Sequence, residues 1–169
     1  MEKTLSDNSS FKNIFAHANF SGKISLVLST WFLTGLLPFA PGTLGTLAAI
    51  PLALLLSYTD ILLRLLFLFL VMVIAIWSSD RAQKIIGRED PDFIVIDEVV
   101  GFSVTISFLS PTFKVLCLAF ILFRIFDIFK PFPVKNLEML KGGFGIVADD
   151  LMAGLYALAG SKVILLFFN

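Results

Sequence analysis

The chain has 169 residues, 57% hydrophobic and only 15% charged, with 13 basic and 13 acidic side chains. A mean hydropathy of +0.92 argues against an ordinary soluble globule, which at this size has too little interior to hide so much apolar surface. Zero net charge lacks the basic excess of nucleic-acid binders, while one cysteine and one histidine exclude an internal disulfide and a His-rich metal site.

Residues 1–23 are polar, carry Lys3, Lys12 and Lys23, and lack the cleavage pattern of a signal peptide. They read as a polar N-terminal segment before a single helical domain over residues 24–169. Residues 24–58 hold no charge but are interrupted by Gly35, Pro38, Pro41 and Gly42. Residues 61–77 contain only Arg64. Residues 99–123 contain only Lys114 and are split at Ser110-Pro111, which predicts one kinked span or two short helices. Residues 151–168 contain only Lys162. A helical span needs about 17–25 apolar residues, and the repeated short alternating segments of a barrel are missing. The predicted fold is all-α: a multihelical membrane-embedded bundle with a broken or re-entrant N-terminal hydrophobic segment.

Basic residues cluster at the N-terminus, at Arg81/Lys84/Arg88 and at Arg124/Lys130/Lys135/Lys141. The positive-inside rule puts all three clusters in the cytoplasm. Segments 61–77, 94–109 and 112–129 then alternate in direction, and a shallow 24–37 hairpin keeps the parity. Residues 78–98 and 130–146 read as non-spanning.

The acids carry the chemical signal. Asp97-Glu98, Asp127 and Asp149-Asp150 each interrupt apolar sequence at the predicted cytoplasmic end of a segment. Carboxylates in such places pair, face a polar cavity or bind a cation. Arg124 and Asp127, three apart on one helix, can pair, whereas Asp97-Glu98 and Asp149-Asp150 have no base within four residues. Converging acids repel, and a hard cation such as Mg2+ relieves the repulsion. All five carboxylates are therefore candidate metal ligands and catalytic groups.

The stretch LPFAPGTLGTL over residues 37–47 can start a helix at Thr43, with Thr43 and Thr46 as phosphate-binding candidates. It is not a Walker A loop. The Gly142-Gly143-Phe144-Gly145 turn offers a second phosphate cradle at Gly143, and Arg124, Lys130 and Lys141 are candidate clamps. Cys117 reads as a small hydrophobe and His17 as solvated. Acids beside bases and Gly-Thr turns suit phosphate chemistry on a lipid head group, by attack of metal-activated water. An aspartyl-phosphate route stays open. Competing readings are a phosphatase or phosphotransferase on another phospholipid head group, or a non-enzymatic membrane cation carrier, whose ligands would lie at mid-membrane.

Four segments in order resemble the phosphatidylglycerophosphatase A family: GLLPFAPGTLGTLAAIP (35–51), GREDPDFIVIDEVVG (87–101), FRIFDIFKPFP (123–133) and GGFGIVADDLMAG (142–154). The resemblance implies a Mg2+-dependent bacterial membrane phosphatase whose substrate is phosphatidylglycerophosphate, with its site facing the cytoplasm at the inner membrane. No nucleic-acid partner is expected. It maps the family's polar positions onto Thr43, Thr46, Asp90, Asp97, Glu98, Arg124, Asp127, Lys130, Pro131, Asp149 and Asp150, and so adds Asp90, which otherwise reads as a turn residue.

Overall fold

The structure, a computed structural model, describes residues 2–168, with side chains described from residue 10 onward except Glu138 and Phe168. Lys3 of the N-terminal basic cluster lies outside the described side chains. All regular secondary structure among the described residues is helical, without strands. In chain order the helices are α1 (Glu2–His17), α2 (Phe20–Ser29), a 3-10 turn (Thr34–Leu36), α3 (Pro41–Ala48), α4 (Ile50–Ser57), α5 (Ile61–Ile86), α6 (Ile96–Ser107), α7 (Phe113–Phe129), α8 (Val134–Glu138) and α9 (Gly143–Phe168).

Helix α6 is the axis of the molecule. It is buried at nearly every position, as expected of a helix with apolar residues on all sides. Around it pack α9, most extensively, and α3, α4, α5 and α7. Phe102 and Ile106 meet Ala119 and Phe123 of α7 and Ala153 and Ala157 of α9 in one core cluster. The α6–α9 crossing depends on two glycines. A Cβ on Gly101 would strike the carbonyl of Asp150, and one on Gly154 would strike the carbonyl of Gly101. Small residues let the backbones approach, and the site acids lie within a turn of this crossing.

Helix α5 starts where Asp60 Oδ1 accepts the Leu63 N–H at 3.0 Å and ends at Gly87 with φ 75. Its 26 residues span about 39 Å at 1.5 Å each. It therefore continues through residues 78–86, part of the stretch whose polarity suggested a connection. That tail is amphipathic, with Ser78, Ser79 and Ala82 buried. α5 and α9 are each long and apolar enough to cross a membrane.

The proline at 111 separates two helices, α6 and α7, instead of kinking one. The N-terminal apolar run is also broken. Trp31, Phe32 and Leu33 all take left-handed backbone angles, and Trp31 Nε1 donates to the Ala48 carbonyl at 3.2 Å, holding the break against α3. The ten residues of α2 reach only about 15 Å, too short to span.

At the C-terminal end of α6, Arg64 donates to the carbonyls of Leu56, Ser57, Thr59 and Ser107. It thereby satisfies chain ends that no further helical turn could serve.

Candidate active site

Three corners of one kind deliver the site. Ala40, Asp90 and Lys130 each have φ between 40 and 42, and each precedes a proline, which disfavours the right-handed helical region for the residue before it. The first corner launches α3, the second leads toward α6, and the third ends α7. Helix α3 begins at Pro41 instead of Thr43, because proline at the first helical position needs no N–H partner. Thr43 stands inside its first turn and does not cap it. Gly42 abuts the site: a Cβ there would strike Glu98 Oε1 and come within 3.2 Å of both terminal nitrogens of Arg124.

Asp97 and Glu98 occupy the first turn of α6. Asp149 and Asp150 stand on α9 beside the Gly101–Gly154 crossing. Asp97, Glu98 and Asp150 each turn one carboxylate oxygen toward the others, all within 4.8 Å. Asp150 also interacts electrostatically with Asp127 and Asp149, so all five predicted acids gather in one place. Asp90 acts through charge on both Asp97 and Asp149, which places the residue added by family resemblance at the same site.

The bases come from α7. Arg124 Nη1 lies 2.6 Å from Asp127 Oδ2, the pair expected from their spacing, and 4.0 Å from Glu98 Oε1. Lys130 Nζ donates to Asp149 Oδ2 at 2.7 Å. Glu98 and Asp149 therefore have bases near them that their own sequence neighbourhoods lack. The pairing is incomplete. Asp97 Oδ1, Glu98 Oε2, Asp149 Oδ1 and Asp150 Oδ2 are buried and have no hydrogen-bond donor among the described residues. Buried acceptors without donors are costly, and unpaired carboxylates more so. The donor set fits a hard divalent cation: oxygen ligands only, converging and unsatisfied.

Other candidates lie differently. Thr46 is fully buried and its hydroxyl donates to the Gly42 carbonyl at 2.8 Å, fixing the first turns of α3. Gly143 packs on the backbone of α5, and its N–H meets Asp80 Oδ1 at 3.4 Å. Lys141 lines a cavity of about 340 Å3 whose wall includes Asp149 and Asp90. From the sequence Gly42 reads only as a break in the N-terminal run, and Asp80 and Gln83 are not among the candidates. Gly42 carried a signal, as a glycine in a Pro-Gly-Thr turn, whereas Asp80 and Gln83 look like any polar tail of a long helix.

Residues 27–165 match the family model described as phosphatidylglycerophosphatase A. Phosphatidylglycerophosphatase A of Haemophilus influenzae is 39% identical over 144 residues, covering 80% of this chain and 88% of its own. The Escherichia coli protein of the same name is 36% identical over 131 residues, 76% of each chain. A Bacteroides thetaiotaomicron protein named "Putative phosphatidylinositol-3-phosphatase" is 37% identical over 142 residues, 79% of this chain and 89% of its own. No solved structure matches. With the acids, bases and glycine contacts in the matched region, the chain belongs to the phosphatidylglycerophosphatase A family of phosphatases.

Proposed function

We propose that the protein hydrolyses the terminal phosphate monoester of phosphatidylglycerophosphate to phosphatidylglycerol and inorganic phosphate, at the cytoplasmic face of a bacterial inner membrane that it crosses more than once. The observation carrying this reading is the set of unpartnered buried carboxylate oxygens beside Arg124 and Lys130, in a chain of this family. Two helices of spanning length and apolarity support the membrane setting.

Asp97, Glu98 and Asp150 would hold Mg2+. When bound, the ion supplies positive charge to the phosphoryl oxygens and lowers the pKa of a water. Arg124, steadied by Asp127, stabilises charge that builds on the equatorial oxygens. Asp149 has one oxygen fixed by Lys130 and the other without a donor, so its Oδ1 takes the proton of the attacking water. The water oxygen bonds to phosphorus, the bond from phosphorus to the glycerol oxygen breaks, and the proton taken up by Asp149 passes through solvent to that departing oxygen, which restores the carboxylate. Gly42 keeps the backbone of α3 against Glu98 and Arg124, where any side chain would collide with the Glu98 carboxylate.

The Bacteroides relative's name favours a second reading, a phosphoinositide monoester, at comparable identity. Phosphate release by detergent-solubilised protein from phosphatidylglycerophosphate, phosphatidylinositol 3-phosphate and phosphatidic acid, each in mixed micelles, separates the two. The proposal predicts the highest kcat/KM on phosphatidylglycerophosphate. Faster release from the phosphoinositide would move the assignment, and no release from any would refute phosphatase activity on lipids.

A further inference from the structure

The acid cluster accommodates a phosphate monoester, but a lipid substrate brings more. Between that monoester and the diacylglycerol lie a polyol and a phosphodiester, and these need a place of their own. The 340 Å3 cavity shares the Asp149 wall with the cluster and falls in the roughly 300–1,000 Å3 range of small-ligand sites. Its lining is mixed. Gln83, Glu89 and Asp90 offer an amide and two carboxylates, Lys141 offers an ammonium, and Met139 and Leu140 are apolar.

A second cavity of about 490 Å3 shares Gln83, Glu89, Lys141 and Gly142 with the first and continues toward Lys84 and Arg88. Those two cations are engaged by Asp80 and Asp92. Lys141 forms no ion pair among the described residues, so its charge remains available where the two cavities meet. Met139 is 79% exposed and Leu140 43%, an apolar lip beside a polar hollow. Beside the acid cluster the cavity thus brings together an amide and carboxylates able to bind hydroxyls, a cation and an apolar lip. These are the kinds of group that the polyol, the diester and the glyceride of such a lipid require.

We infer that this cavity is the subsite for the polyol phosphodiester of the substrate, with Lys141 pairing the diester and Gln83 hydrogen-bonding a polyol hydroxyl. This rests on the phosphatase reading above and adds the specificity that the acid cluster cannot supply. Phosphatidic acid carries its monoester directly on the glyceride and leaves the subsite unfilled. Gln83 and Lys141 touch the part of the substrate that does not react, so their loss weakens binding in ground and transition states alike.

The test is steady-state hydrolysis of phosphatidylglycerophosphate in mixed micelles by wild type, Gln83→Leu, Lys141→Ala and Lys141→Arg, with inhibition by inorganic phosphate measured on each. A charge-assisted hydrogen bond lost from the diester raises KM about tenfold in Lys141→Ala. The inhibition constant for inorganic phosphate should stay at the wild-type value, since that ion fills only the acid cluster. Lys141→Arg should restore most of the KM, and Gln83→Leu, on the separate helix α5, should raise it severalfold. An unchanged KM in both Lys141→Ala and Gln83→Leu overturns the inference. So does a parallel rise in the phosphate inhibition constant, which would place Lys141 on the scissile phosphate. Wild type that releases no phosphate overturns the phosphatase reading itself, a different failure.

Discussion

Asp97 is 8% exposed, sits beside Glu98 and Asp150, and has one oxygen without a donor. Such burial costs stability, and the proposed metal site gives it a use. Asp97→Asn should therefore raise the melting temperature in EDTA, by roughly 2–4 °C for each kcal/mol of repulsion relieved. Saturating Mg2+ should raise the melting temperature of wild type and not of the variant, by an amount set by the ligand excess, about 2.7 kcal/mol at a hundredfold excess over Kd. Differential scanning fluorimetry in detergent reads both. If wild type and variant respond equally to Mg2+, Asp97 is not a ligand. At this scale the acids were legible in the sequence, because a charge inside apolar sequence has few purposes. Their bases were only half legible. Arg124–Asp127 is a local pair, whereas Lys130–Asp149 joins α7 to α9 across 19 positions, and no spacing rule reaches that far.

Helices α6 and α9 bring Asp97 and Glu98 to Asp150 because Gly101 and Gly154 let their backbones touch. A methyl group at Gly101 would meet Phe123 Cε2 at 2.7 Å as well as the Asp150 carbonyl. Gly101→Ala should therefore cost about 1–3 kcal/mol, as overpacking does, and should lower phosphate release more than a comparable destabilisation elsewhere. Arg64→Leu is the natural comparison. Arg64 binds carbonyls at the far end of α6, about 15 Å from the acids by helix length, so losing its bonds should lower stability while leaving more of kcat intact. Thermal melts paired with kcat decide this, and equal kcat losses at equal destabilisation would deny the crossing a special role. Most of the helices were readable from apolar runs, whereas α1, in the polar N-terminal segment, and α8, in a stretch read as a connection, were not. The start of α3 at Pro41 and the continuation of α5 to Ile86 were not, because a left-handed Ala40 and burial of Ser78, Ser79 and Ala82 are tertiary facts.

The whole molecule is polarised. Arg64 and the Ser110-Pro111 connection mark one end of the bundle, while the acids, Lys130 and the cavity with Lys141 mark the other. Leu62 and Leu66 on α5 are 76% and 61% exposed, an apolar face suited to lipid. In a variant lacking Cys117, Arg88→Cys should react with an impermeant maleimide from the cytoplasmic side and Ser110→Cys from the opposite side. Labelling of both from one side would contradict the proposed crossing. The all-α class followed from composition, and an interruption of the N-terminal run from Gly and Pro placement at residues 35–42, but the left-handed turn at residues 31–33 carries no Gly or Pro and was not legible. The cavity did not, since Gln83, Asp90 and Lys141 come from three separate stretches that only the fold unites.

The most direct test of the central claim compares Mg2+-dependent phosphate release from phosphatidylglycerophosphate by wild type, Asp97→Ala and Asp150→Ala, with EDTA as control. The account predicts release by wild type in Mg2+ alone. It also predicts a loss of at least about a hundredfold in each variant, of the order expected when an electrostatic element of a catalytic site is removed, because α6 and α9 contribute to one centre. Release that survives EDTA, or survives either substitution, would contradict it.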